Sequence, residues 1–338
     1  MTIQWFPGHM HKARKEIAKV ISEIDVVIEV LDARLPYSSA NPLVGELSGQ
    51  KPLIKVLNKS DLADPGRTRK WLKFLNTEST QALALRMDQK SELQQLIALC
   101  KQTAPGRVAA DRPVRVMIMG IPNVGKSTLI NALMGRRIAK VGNEPAVTKN
   151  QQRFVTNNGL AVFDTPGILW PKIVDADSSY RLAASGAIRD TVVEYEDIAL
   201  YSLDFLIKDY PDLLLQRFKL SELPESGYEA LEQIGRRRGC LKSGGIVNRT
   251  QAGEVVIGDL RSGLIGRLSF ETVGEWVEKK RLAELLIEQQ EIEQQEIEQQ
   301  QRAQTEVDAL KWGSKGEKNS PHQQIDPVSG SEPDTKER

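Results

Sequence analysis

The stretch "VLNKSDLADP", residues 56–65, carries Asn58-Lys59-Ser60-Asp61 directly after the apolar run "LIKVL". N-K-x-D at the end of a strand suits the edge of a guanine base. The Asp61 carboxylate can accept hydrogen bonds from guanine N1–H and the exocyclic amine. Adenine offers neither donor, and an unpaired buried carboxylate costs about 3 kcal/mol. Asn58 is expected to support the base edge, and the Lys59 stem to cover the ring face. Four residues recur often by chance, so the motif gains weight only from a partner.

That partner lies downstream. "GIPNVGKST", residues 120–128, fits G-x-x-x-x-G-K-[ST], with the apolar run 114–119 before it and a helical pattern over 127–134 after it. Strand, glycine-rich turn and helix form the context in which such a loop cradles phosphates. Backbone amides of Asn123, Val124, Gly125 and Thr128 are placed to face the phosphates at a helix N-terminus. Lys126 would bridge the β- and γ-phosphates, and the Ser127 hydroxyl would ligate Mg²⁺. "VFDTPG", 162–167, supplies Asp164 for the Mg²⁺ shell and the Gly167 amide for the γ-phosphate. Thr148, between the two motifs, is the candidate to complete that shell when the γ-phosphate is present.

The two motifs stand in inverted order, since an ordinary GTPase has its phosphate loop first. Apolar runs predict strands at 26–31, 53–57, 82–85, 114–119 and 160–163, and "RFVT" at 153–156 pairs with the last across "NNG". Helical spacing lies between them at 10–21, 67–76, 91–101 and 127–134. This alternation predicts an α/β, doubly wound, mostly parallel six-stranded sheet. Reading from 114 to the D-T-P-G motif, then from residue 1 through 26–31, 53–57 and 82–85, restores the ordinary order. The chain is thus predicted to be a circularly permuted P-loop GTPase domain over 1–175, cut just after D-T-P-G. A linker from Pro105 to Pro113 would seal the old termini, a change that folds tolerate when termini are close.

Beyond 176 the strand signal stops. Helical segments at 177–187, 194–208, 211–219, 226–238 and 250–262 predict an all-helical domain over 176–283. Residues 284–338 form a low-complexity tail. Its repeat "IEQQEIEQQEIEQQQ" advances about 140° per five residues and so builds no apolar seam. A solvated single helix or disorder is expected there, with 311–338 disordered.

The net charge of +1 hides an asymmetry: 284–338 holds thirteen acidic and six basic residues, which leaves about +8 on residues 1–283. Basic clusters at 11–19, 136–153 and 236–249 favour a polyanionic partner over plain solvated surface. Two distant cysteines, Cys100 and Cys240, argue against disulfides or zinc, and no signal core or 18-residue apolar run is present. A cytoplasmic protein, apart from membranes, is expected.

"WFPGHMHKARKE", "DARLPYSSANP", "LNKSDL", "GIPNVGKSTLIN", "DTPGILWPK" and "RGCLKSGG" together resemble the YlqF/RbgA family of circularly permuted GTPases, across roughly residues 1–275. The resemblance implies a factor that acts late in assembly of the large (50S) ribosomal subunit, contacts rRNA with its helical domain, and hydrolyses GTP to GDP when the particle stimulates it. It also implies K⁺ beside the γ-phosphate, held by Asn123. Two places depart from the pattern. "LRMDQ" lacks the usual serine-bearing base-supporting loop, leaving Arg86 and Met87 as the residues in that position, and Ala146 stands where the family often has glycine.

Ras-like enzymes place a water-orienting Gln after the D-x-x-G glycine. Here Ile168 and Leu169 follow Gly167, and neither can hydrogen-bond. The helix 10–21 should run back along strand 26–31, so its start lies at the nucleotide edge of the sheet and delivers His9 there. The family resemblance gives the His of "PGHM" the same catalytic role. An RNA contact or a helix cap are the alternatives for His9. "GRRRGCLKSGG", 235–245, is the candidate RNA-gripping segment, the alternative being a basic helix C-terminus. The expectation is a monomeric GTPase; the alternative is an RNA-docking checkpoint that uses GTP only as a conformational ligand. N-K-S-D disfavours an ATP-dependent motor.

Overall fold

Runs of Val, Ile and Leu with no polar interruption fit strands buried on both faces. The computed structural model describes residues 9–136, 152–165, 167, 175–188 and 194–313. Along the chain come α1 (His9–Val20), β1 (Val26–Asp32), α2 (Pro36–Ser39), α3 (Pro42–Ser48), β2 (Leu53–Asn58), α4 (Pro65–Leu75) and β3 (Thr80–Leu85). Next are α5 (Lys90–Thr103), α6 (Pro105–Ala109), β4 (Val114–Met119), α7 (Lys126–Met134), β5 (Gln152–Val155) and β6 (Leu160–Asp164). The remaining helices are α8 (Ala176–Ser185), α9 (Tyr195–Asp209), α10 (Pro211–Phe218), α11 (Gly227–Arg238), α12 (Arg249–Arg261) and α13 (Val273–Gly313).

The six strands form one sheet in the order β3-β2-β1-β4-β6-β5. All neighbours are parallel except β5, which runs antiparallel to β6. Central β1 is buried along its whole length, as is β6, while edge strand β3 is mostly half-exposed. The chain builds outward from β1 to β3 on one side and from β4 to β6 on the other. The reversal between β1 and β4 is the switch point at which such sheets bind ligands. Helix α1 is pinned to the sheet by Ile17, which is fully buried in the central apolar cluster.

The stretch expected to be a linker contains α6 instead. Pro105 supplies a first helical residue that needs no donor, and Arg107 Nε then ties the helix to Asp25 at 3.0 Å. Asp25 also accepts a paired contact from Arg115 at the foot of β4, so the seam between the old termini is anchored to the sheet.

Helices α8 to α12 start on side-chain caps where the sequence offers them: Asp175, Ser226 and Asn248 each accept a backbone amide of the first turn. Helix α9 packs against α8, α10, α11 and α12. The core here holds Ile198, Leu203, Leu206, Ile234, Val256 and Ile257, which belong to the same apolar cluster as the sheet. Burial of each such side chain contributes about 2 kcal/mol. Met1–Trp276 accordingly forms one unit and Val277–Arg338 a second. The change at 176 is one of secondary-structure class within a shared core.

In the second unit α13 continues as a helix to Gly313, so Lys311 and Trp312, expected to be disordered, lie in its last turn. Glu, Gln, Leu and Ala are strong helix formers, and Lys280–Glu284 adds an i,i+4 pair. Ile292 and Ile297 remain about half exposed, as their five-residue spacing requires. Residues 314–338 lie outside the described part. Among the described residues no helix is long and apolar enough to cross a membrane, and both cysteines are free and buried.

Candidate nucleotide-binding site

Parallel pairing puts the C-terminal ends of β1, β2, β4 and β6 on one edge of the sheet, and each expected motif begins there. After Met119 the chain turns through Asn123 (φ 59°) and Gly125 (φ 99°), both in the left-handed region, before α7 starts at Lys126. The Lys126 ammonium is buried and donates to the Ile121 carbonyl at 2.7 Å. Burial pushes its pKa down from 10.5 to about 8, and the nearby Asp164 carboxylate offsets only part of that. Asp164 ends β6 and is itself buried, while the next residue, Thr165, donates to Ile118 O at 2.7 Å. Ser127 and Thr128 are half-buried in the first turn of α7. A Cβ at Gly167 would lie 2.9 Å from Pro122 Cα and N and 3.1 Å from Lys126 Nζ, so only glycine lets the D-T-P-G backbone come this close.

The base-reading motif reaches the same place. Asn58, the last residue of β2, donates through Nδ2 to the Val124 carbonyl at 2.6 Å. Its Oδ1 is buried and, among the described residues, meets no hydrogen-bond donor. Lys59 sits at φ 59° and reaches Asp32 Oδ2 at 2.9 Å. Asp32 also accepts from Arg34 Nε at 3.0 Å and Nη2 at 2.8 Å. Burial drives the Asp32 carboxyl upward, but Arg34 and Lys59 together hold it well below the usual carboxylate range. Asp61 follows on the exposed side of the loop, close enough for its charge to act on both Arg34 and Arg86.

A glycine makes the junction possible. A Cβ on Gly125 would stand 2.2 Å from Asn58 Nδ2, in a backbone conformation that side chains disfavour. Gly125→Ala is expected to cost about 2 kcal/mol of stability and to weaken GTP binding about tenfold or more. Denaturant unfolding with nucleotide titration checks both; unchanged affinity would separate Asn58 from the ligand.

Asn58, Val124, Gly125, Lys126, Asp164 and Gly167 therefore converge, whereas Arg86 does not turn inward. Its guanidinium pairs with Asp88 at 2.9 Å on the surface, and its amide donates to Glu92 Oε2. Met87 is half-buried against the core. Asn123 donates through Nδ2 to the Gly186 carbonyl, just past α8, at 2.7 Å. Thr148 lies outside the described residues, and so does Ile168. His9 is the first residue of α1, although its side chain lies outside the described part. Periodicity could not flag Asp32 and Arg34, because a buried ion pair at a strand end reads like any other D-x-R.

Away from this edge, α11 ends in Arg236, Arg237 and Arg238, all exposed. Arg238 leans over the Phe218 ring and toward Asp259, and Arg236 faces Glu232. Gly244 and Gly245 both take positive φ in the turn beyond, leaving Ile246 66% exposed.

The family described as "50S ribosome-binding GTPase" matches residues 115–229. "Ribosome biogenesis GTPase A" of Priestia megaterium is 44% identical over 283 residues, covering 81% of this chain and 98% of that protein. The Thermotoga maritima protein of the same name is 33% identical, covering 80% and 94%. Among solved structures, a GDP-bound YlqF (27% identity, TM-score 0.57) covers 77% of this chain and 99% of that one. GNP-bound YlqF from T. maritima gives 28%, 0.56, 77% and 98%. With the phosphate loop, the base-reading loop and their permuted order in place, this chain belongs to the ribosome biogenesis GTPase A (YlqF/RbgA) family of circularly permuted GTPases.

Proposed function

We propose that this GTPase binds GTP between Asn58–Asp61 and Gly120–Thr128, hydrolyses it to GDP, and thereby times a late step in assembly of the large ribosomal subunit. The observation that carries this reading is the Asn58–Val124 hydrogen bond of 2.6 Å, which joins the two motifs into a single pocket. Asp61 reads guanine through N1–H and the exocyclic amine, and the Lys59 stem lies beside the ring. Amides of Asn123 to Thr128 hold the phosphates, and Lys126 leaves the Ile121 carbonyl to meet the β- and γ-oxygens. The Gly167 amide faces the γ-phosphate, and its close approach to Pro122 supports that role.

Buried Asp164 and the Ser127 hydroxyl at this edge are hard oxygen ligands that suit Mg²⁺, and Thr148 would complete the shell. Bound there, the ion neutralises charge on the phosphate oxygens. Asn123 would offer its oxygen to K⁺. His9 at the start of α1 orients the attacking water, a task that Ile168 cannot perform. Residues 176–283 dock on rRNA, with Arg236 and Arg237 gripping phosphates near the Gly244-Gly245 turn. The protein acts as a cytoplasmic monomer.

GTP turnover measured with and without purified large-subunit particles tests this. Stimulation of about tenfold or more is expected. GTP-dependent particle binding with no added turnover would favour the checkpoint reading instead.

A further inference from the structure

The loop carrying Asn58 to Asp61 is gripped by a segment more than 200 residues away. Arg267 Nε donates to the Ala63 carbonyl and Nη2 to the Ser60 carbonyl, each at 2.9 Å. The Leu268 amide donates to Leu62 O at 3.0 Å, and Ser269 Oγ accepts from the Asp64 amide at 3.1 Å. The seam continues with Phe270 N bonding to Arg34 O at 2.7 Å. Ser60, Leu62, Ala63 and Asp64 are thus each held, and among the described contacts Asp61 alone makes no bond to this segment. Its carboxylate projects from a turn clamped on both sides.

We propose that Arg267 is a positioning residue for base selection: its fork bridges the carbonyls that flank Asp61-Leu62 and so sets the direction of the Asp61 carboxylate. This rests on the reading of Asp61 as the guanine-selecting group. The role is separable from folding. Leu268, Ser269 and Phe270 are buried and fasten the segment to the core, whereas Arg267 is exposed. Without its two bonds the chain keeps its packing and the turn loses its brace. Asp61 must meet two donors at fixed angles, and hydrogen bonds weaken steeply as they bend. The bonds to N1–H and to the exocyclic amine both weaken, so guanine, which offers both donors, loses more than hypoxanthine, which lacks the amine.

The test is titration of the full chain with GTP and with inosine triphosphate, which lacks that amine. Wild type is expected to favour GTP about tenfold. In Arg267→Ala the GTP affinity falls about fivefold while that for inosine triphosphate falls about twofold, with the melting temperature lowered by only a few degrees. Arg267→Lys, which can meet one carbonyl, gives an intermediate ratio. Equal losses for both nucleotides, or none, would overturn the proposal. A wild type that binds both alike would overturn the Asp61 reading, and this inference with it.

Discussion

Lys126→Met is expected to weaken GTP binding at least 100-fold while making the nucleotide-free protein more stable. The two effects have one origin. The ammonium is buried, and burial pushes its pKa from 10.5 to about 8. Holding it charged at neutral pH therefore costs about 3 kcal/mol. Loss of the bond to Ile121 O takes back about 1 kcal/mol, so a net gain of about 2 kcal/mol remains, or several degrees in Tm. Methionine keeps the apolar stem, so packing is retained. The folded pKa is lowered, which sets the sign: the cost is full below pH 8 and fades as the proton is lost between about pH 8 and 10.5. The stabilisation by Lys126→Met should shrink over the same window. With GTP the sign reverses, because phosphate oxygens need the charged form and the charge-assisted bonds are worth about 3 kcal/mol or more together. Wild-type GTP affinity should therefore fall as pH rises above 8, by up to about tenfold per unit, and the variant should lack that slope. Thermal unfolding and calorimetric titration at pH 7 and 9 measure both. A variant that binds GTP normally would mean Lys126 does not meet the phosphates.

His9→Ala is expected to leave nucleotide affinity within about twofold and to lower particle-stimulated hydrolysis by about 10²- to 10³-fold. The residue after Gly167 is Ile168, which has no group to hold a water. Helix α1 begins at His9 and is fixed to the sheet by buried Ile17 two turns on. Because α1 precedes β1 in this permuted chain, the proposed role joins its first turn and the D-T-P-G motif from different parts of the sequence. Single-turnover hydrolysis with large-subunit particles separates the chemical step from binding. Undiminished hydrolysis would move the water-orienting role to another group, such as one provided by the particle.

Much of this architecture was legible in the residues. Six apolar runs became the six strands, and helical spacing found most helices to within two residues, because buried parallel strands and capped amphipathic helices follow local rules. The linker at 105–113 was misjudged: Pro105 opens a helix as readily as it breaks one, and the deciding bond to Asp25 comes from a distant loop. The end of the tail helix was set too early, since a run of Glu and Gln carries no stop signal before Gly313. Arg86 had been placed beside the base by its position after β3, but adjacent Asp88 draws its side chain to the surface.

By itself the sequence determined the six strands and the permuted order of the motifs, and it named the residues proposed for phosphate and base chemistry, because each of those is written in runs a few residues long. Tertiary structure decided what long-range contact alone can decide: Asn58 against Val124, Gly167 against Pro122, the turn of Asn123 toward Gly186, and the clasp of Arg267 on the Asp61 loop. In each hydrogen-bonded pair the acceptor is a backbone carbonyl, a group every residue possesses, so nothing in the sequence marks the partner until the chain has folded.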